Sequence, residues 1–376
     1  MTATASSPSA HESPSAPSLD PAAPPSLFAP LQLRDLTLRN RIAVAPMCQY
    51  SATDGLATDW HLVHLGSRAV GGAGLVIAEA TAVSPEGRIT AGDLGLWTDE
   101  QIAPLRRITD FIHEQGAATG IQLAHAGRKA STHLPWAETH GEVPLADGGW
   151  VTVAPSPEPF AADYPQPVEL GPDGLRKVVD DFRAAAARAD RAGFDVVEVH
   201  AAHGYLLHEF LSPVSNHRSD AYGGTPEGRA RLLLEVVGAI REVWPAGKPV
   251  FVRVSASDWV DGGLTSEDFV PLVPQLRALG VDLVDVSSGG NVATAQIPVG
   301  AGYQVPFAAQ LRDAGLPTGA VGLITAPAQA DHVIRTGQAD LVLLARELLR
   351  DPYWPLLAAR ELRAAGPVPV QYGRAW

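Results

Sequence analysis

Eight short aliphatic and β-branched runs, separated by longer stretches with helical apolar spacing, predict an α/β chain closed as a single-domain (β/α)8 barrel. The runs fall at 42–47, 74–80, 119–124, 195–200, 250–255, 282–287, 319–323 and 340–345. Between them the 3.6-residue period is clearest at 175–191, 227–243, 268–279 and 326–336. Strands that are apolar along their whole length need both faces covered, and parallel strands flanked by helices provide that. Eight such units favour a closed barrel over an open doubly wound sheet, which usually has fewer strands.

Composition narrows the function. With 376 residues, 46% of them hydrophobic, the chain can bury a large core. A net charge of -13 and a pI near 5.3 exclude nucleic acid and anionic membrane as main partners, since both need clustered Lys and Arg. The single cysteine, Cys48, excludes an intrachain disulfide and any multi-cysteine zinc or iron–sulfur site, and points to a reducing cytoplasm. No apolar run reaches membrane-spanning length. Residues 1–26 are Ala, Ser and Pro with almost no aliphatic bulk, so they are expected to form a disordered tail. The barrel domain is expected over 27–376. It would include an irregular excursion at about 130–169 over the barrel mouth and a C-terminal tail at 367–376.

Active sites in this fold lie at the carboxyl ends of the strands, and the polar residues obey that rule. Strand one runs into Pro46, Met47, Cys48, Gln49 and Tyr50. Strand three delivers Gln122 and His125, followed by Arg128 and Lys129, which read as loop charges. Strand four ends in His200, His203 and Tyr205, two imidazoles and a phenol able to hold an oxygen and exchange a proton. Strand five carries Arg253 inside an apolar run. A lone buried arginine is costly without an anionic or electron-rich partner, so a ligand is expected there. The ends of strands seven and eight, Gly319 to Gly322 and Ala345-Arg346-Glu347, suit a phosphate: small residues permit close approach and Arg346 supplies a forked donor. No GxGxxG follows a strand, which argues against a Rossmann-bound dinucleotide. The histidine cluster leaves a second reading open, a metal-dependent barrel hydrolase, although a catalytic zinc needs a third ligand.

Taken together, several motifs resemble the old yellow enzyme family of flavin-dependent ene-reductases, in particular its thermophilic-like subgroup. They are Asn40-Arg41-Ile42, Ala45-Pro46-Met47-Cys48-Gln49-Tyr50, Gln122 with His125-Ala126-Gly127-Arg128-Lys129, and His200-Ala201-Ala202-His203-Gly204-Tyr205. Further matches are Ser215-Asn216-His217-Arg218, Tyr222-Gly223-Gly224, Phe251-Val252-Arg253-Val254-Ser255 and Arg346-Glu347-Leu348-Leu349-Arg350-Asp351-Pro352. The resemblance runs in order over residues 27–376.

It implies a TIM barrel holding FMN non-covalently, reduced by NADPH or NADH that binds only transiently. Pro46, Met47, Cys48, Ala80, Gln122 and Arg253 would line the isoalloxazine, and Gly322, Ala345 and Arg346 would lie at the phosphate. His200 and His203 would bind the oxygen of an enone, enal, maleimide or nitroalkene, Tyr50 would hydrogen-bond it, and Tyr205 would protonate the α-carbon. Cys48 would modulate the flavin. Arg374 would reach into the neighbouring subunit's site, implying a homodimer or dimer of dimers. Two positions depart from the pattern: Ala345 stands where Gly is common, and Gly228 where Asn is usual.

Overall fold

All eight apolar runs form strands, and each pairs in parallel with its neighbours until the last returns to the first. The computed structural model describes residues 24–376; of the expected tail, residues 1–23 lie outside the described residues. The barrel strands are β1 (Ile42–Val44), β2 (Leu75–Ala82), β3 (Ala118–Ala124), β4 (Val196–Ala201), β5 (Val250–Ser255), β6 (Leu283–Ser287), β7 (Thr318–Ala320) and β8 (Leu341–Leu344). Val342 of β8 faces Ile42 of β1, which closes the ring. Every residue of β2, β3, β4, β5, β6 and β8 is buried, as parallel strands covered on both faces require.

The helices are α1 (Asp59–Val70), α2 (Ile102–Glu114), α3 (Pro172–Arg191), α4 (Leu206–Leu211), α5 (Pro226–Val243), α6 (Ser266–Phe269), α7 (Val273–Ala278), α8 (Val305–Asp313), α9 (Pro327–Arg335), α10 (Arg346–Arg350) and α11 (Trp354–Glu361). Three expectations differ in detail. Strand one stops at Val44 rather than 47, ahead of Pro46, which has no N–H for the ladder. The stretch 268–279 forms two helices rather than one, because Pro271 and Pro274 lack the N–H that a helix interior needs. Strand seven stops at Ala320 rather than 323, because Gly322 and Leu323 take positive φ, 122° and 49°, outside the extended region.

Two separate apolar cores result. The larger lies between strands and helices and includes Phe182, Phe210, Val197 and Ile121. The smaller fills the barrel axis with Ala43, Leu75, Ile77, Ala118, Val196, Phe251, Leu283 and Leu341. An antiparallel hairpin, Leu31–Leu33 with Leu36–Leu38, joins this second core and plugs the amino-terminal end.

Strand alternation then fixes what lies above the plug. Side chains two residues on share a face, so the inward Val196, Phe251 and Leu283 are followed inward by Glu198, Arg253 and Asp285. His200, Ser255 and Ser287 come next, at the carboxyl end. The axis thus passes from apolar to charged to a polar mouth.

Phe182 on α3 is fully buried in the outer core. Phe182→Ala is expected to cost about 3–5 kcal/mol of unfolding free energy, lowering the denaturant midpoint. Val63→Ala, at an exposed position on α1, should stay within about 0.5 kcal/mol.

Candidate active site

The turn after β4 carries the two histidines and the tyrosine, and it is a strained turn. His203 has φ +60° and Gly204 φ +73°. Opposite, Gly290 in the loop after β6 has φ +91°, and a Cβ there would meet His203 Cα at 2.7 Å. A Cβ on Gly204 would meet the Gly290 carbonyl oxygen at 2.2 Å. The two glycines let these backbones touch, which non-glycine residues would prevent. Strain held by surrounding contacts is common at functional sites, and here the contacts are identifiable. Ser255 Oγ accepts the His203 N–H at 2.9 Å, and His208 Nδ1 accepts the Gly204 N–H at 2.8 Å. Across from that acceptor, His208 Nε2 lies 3.0 Å from Asp258.

The three side chains meet. The ring centroids of His200 and His203 are 5.2 Å apart at 87°, and those of His200 and Tyr205 are 4.9 Å apart at 82°. Burial holds both imidazoles well below their usual pKa, and the nearby Arg253 cation pushes in the same direction, so both are neutral at pH 7. The Ala202 N–H donates to His200 Nδ1 at 3.3 Å. A neutral imidazole that accepts on Nδ1 carries its proton on Nε2, so His200 is a ready donor at Nε2. His203 Nε2 lies 2.8 Å from Ser287 Oγ. Burial raises the Tyr205 phenol well above its normal pKa, which keeps the proton on it.

The loop after β1 forms the second wall. Tyr50, at φ +49°, packs edge-on against Trp136 of the 130–169 excursion with centroids 5.9 Å apart. Cys48 lies beside Tyr50, and burial first, then Asp93 and Glu79, push its thiol well above the ordinary value. The environment is acidic, so Cys48 is a neutral thiol and not an activated thiolate. Glu79 accepts the Gln49 N–H at 2.5 Å and lies 3.0 Å from His61 Nε2. His61 Nδ1 in turn accepts from Thr58 at the start of α1. Sequence reasoning missed Glu79, although a carboxylate inside the run Leu75–Ala82 is the same signal that singled out Arg253.

Lys129 corrects the reading of a loop charge. Its ammonium is buried and donates to the carbonyls of His203 at 2.9 Å and Gly290 at 3.0 Å. It also lies 5.2 Å from the Tyr205 ring centre and 4.5 Å from that of Phe160 in the excursion. Arg128 likewise ties β3 to the loop after β6 through the Asn291 carbonyl at 2.9 Å. His125 accepts the Gly127 N–H at 3.1 Å and shapes that turn.

Arg253 also has a partner that the sequence did not reveal: its Nε lies 3.0 Å from Asp285 Oδ2, without the alignment of a hydrogen bond. Gln122 Nε2 donates to Glu198 at 2.8 Å. Ala80, Asp93 and Tyr205 line a common crevice. At the ends of β7 and β8, Gly322, Leu323, Ala345, Arg346 and Arg350 border a cavity of about 210 Å³. Arg350 is paired with Glu347, which leaves Arg346 as the uncommitted cation among the described residues lining the cavity. These features fit a flavin mononucleotide: an under-satisfied arginine and an amide below the ring site, and a small-walled cationic pocket for the phosphate. Thr225 Oγ1 accepts the Gly228 N–H at 3.1 Å and so caps α5, and in this loop geometry a Cβ at 228 would meet the Gly223 oxygen at 2.3 Å. Arg374 is the one expected site residue set apart: it is exposed on the tail whose Tyr372 packs tilted against Tyr353, next to α11. Among the described residues no cluster of three or more His, Cys, Asp or Glu is placed to hold a metal, so the hydrolase reading lacks a ligand set.

Comparison with known proteins agrees with this geometry. The pattern of the NADH:flavin oxidoreductase / NADH oxidase family matches residues 26–364. The NADPH dehydrogenase of Geobacillus thermodenitrificans is 52% identical over 353 residues, 93% of this chain and 98% of that protein. That of Bacillus subtilis is 48% identical over 353 residues, 93% of this chain and 99% of that protein. Among solved structures, morphinone reductase aligns with a TM-score of 0.75 at 30% identity, covering 92% of this chain and 91% of that one. The old yellow enzyme homologue from Zymomonas mobilis aligns with a TM-score of 0.72 at 28% identity, covering 91% and 94%. With a family match over most of its length and relatives sharing half its residues, the chain belongs to the NADH:flavin oxidoreductase / NADH oxidase family, the old yellow enzymes, and is an FMN-dependent oxidoreductase served by NADPH or NADH.

Proposed function

We propose that the protein reduces the activated C=C bond of α,β-unsaturated carbonyl or nitro compounds: enones, enals, maleimides and nitroalkenes. The observation that carries this reading is the trio His200, His203 and Tyr205, a neutral imidazole and a protonated phenol both packed edge-on against the neutral His200 ring at one buried strand end. Bound FMN supplies the hydride for the β-carbon. His200 donates from Nε2 to the substrate oxygen, with His203 beside it and Tyr50 on the far wall. Withdrawing electron density through that oxygen makes the β-carbon electrophilic, an oxyanion-type stabilisation in a dry site. Tyr205 delivers its proton to the α-carbon, and its raised pKa keeps that proton in place until the carbanion demands it. Lys129 holds the His203 turn through two carbonyls and so positions the trio. Cys48, as a neutral thiol beside Tyr50, adjusts the flavin environment without ionising. Pro46, Met47, Ala80, Gln122 and Arg253 would contact the ring, and Gly322, Ala345 and Arg346 the phosphate.

We further place the protein in the cytoplasm as a homodimer or dimer of dimers, in which Arg374 enters the neighbouring site. An assembly is supported by the apolar side chains exposed on and near the tail, Leu349, Leu357, Val370, Tyr372 and Trp376. No helix among the described residues is long and apolar enough to cross a membrane.

Two experiments test these assignments. In stopped flow, Tyr205→Phe should slow reoxidation of reduced enzyme by cyclohexenone by about 10²–10⁴-fold and leave flavin reduction by NADPH within a few-fold; equal losses in both half-reactions would contradict the acid role. Mixing and reassembling Tyr205→Phe with Arg374→Ala subunits should restore activity above either parent, because one mixed site keeps both residues. Absence of any recovery in confirmed mixed oligomers would remove Arg374 from the neighbouring site.

A further inference from the structure

Below the histidines, the barrel axis holds two carboxylates and one guanidinium with almost no water-facing surface. Glu198 and Asp285 are fully buried and Arg253 is 6% exposed. Arg253 is the register partner of Asp285 on one side and of His200 on the other. It lies 3.0 Å from Asp285. Glu198 receives only the Gln122 amide, at 2.8 Å, and its Oε2 has no partner among the described residues. The remaining neighbours contribute no charge: His200 above is neutral, and β7 and β8 present Gly319 and Leu343 near Asp285. The charged groups acting on Glu198 are Asp285 and Arg253, and Arg253 acts on Asp285 as well.

One buried cation balances one buried anion. A second uncompensated carboxylate in such a place neutralises itself by keeping a proton. We propose that Glu198 and Asp285 share a single proton over the neutral pH range, carried by Glu198, and that this proton decides how much of the Arg253 charge remains to face the flavin. Asp285 is the poorer site for it because the guanidinium is at contact distance. Glu198 has an amide, which serves a neutral carboxyl as well as a carboxylate. Burial pushes both carboxyls upward, and Arg253 opposes both shifts. The titration belongs to the pair and not to either residue alone.

The consequence for the cofactor rests on the reading that Arg253 lies at the pyrimidine edge of FMN, which becomes negative on reduction. With the proton in place, the cluster is Arg253⁺ and Asp285⁻ with a neutral Glu198. Losing the proton adds a negative charge beside Arg253, disfavours the reduced flavin and lowers its midpoint potential.

The test separates the two levels. In flavin-free protein near neutral pH, infrared difference spectra should show a protonated-carboxyl band that Glu198→Gln removes. Asp285→Asn should also abolish it, since Glu198 then ionises to serve Arg253. In the flavin-loaded protein, midpoint potential plotted against pH should bend downward over the range in which that band disappears. Glu198→Gln should remove the bend and leave the potential above wild type at the alkaline end. The isosteric variant should fold, as its thermal midpoint and FMN uptake will show. A wild type without the band, or a band and bend that both survive in Glu198→Gln, would overturn the proposal. Failure of the protein to take up FMN would instead overturn the placement of Arg253, leaving the flavin-free measurement to stand for the shared proton.

Discussion

Closure of eight parallel strands around a filled axis is the constraint on which everything else in this protein depends. Once the ring is closed, strand alternation sorts side chains into axis and shell, and each axial position belongs to a layer shared with neighbouring strands. The hairpin at Leu31–Leu38 and the apolar layer above it seal one end. Charged residues can then enter the axis only where a partner from an adjacent strand meets them. Arg253 with Asp285, and Gln122 with Glu198, are those meetings. They form the floor on which the site is built.

The mouth is organised by a different device, backbone strain held by polar clamps. His203 in the left-handed region is kept there by Ser255, by the His208–Asp258 contact acting through Gly204, and by Lys129 bridging two carbonyls. The strain turns His203 and Tyr205 toward His200 on the strand itself. The opposite wall depends on a carboxylate in the same way, since Glu79 fixes the backbone of the Cys48–Tyr50 turn and draws on His61 of α1. Both walls are thus positioned by buried ionisable groups, which distributes them over the ends of six strands, β1 to β6, and explains why their parts lie so far apart in the chain.

Electrostatics in this pocket favour neutral forms throughout. The histidines, the tyrosine and the thiol are all driven by burial toward their uncharged states. A site of neutral donors around one guanidinium suits a flavin-dependent oxidoreductase, because its groups can donate hydrogen bonds without a competing counter-charge. Lys129 is the exception, a buried cation whose pKa burial lowers to about 8, and it is spent on carbonyls and aromatic rings.

Much of this was legible in the sequence, because it depends on local periodicity and residue type. The eight strands, the helices at α3, α5 and α9, and the residues His200, His203, Tyr205, Gln122, Arg253 and Arg346 all follow from runs, periods and strand-end positions. The motifs that carried the family resemblance are contiguous stretches of the same kind. What the tertiary structure decided is pairing across the axis and between loops. Nothing in the chain marks Asp285, 32 residues beyond Arg253, as its partner, or Lys129 as the tie between the turns after β4 and β6. The split of 268–279 at Pro271 and the early end of β7 were readable in principle but yielded to the stronger periodic signal. A sequence records which side chains point inward; only closure of the barrel determines which of them meet, and therefore which charges are balanced and which must hold a proton.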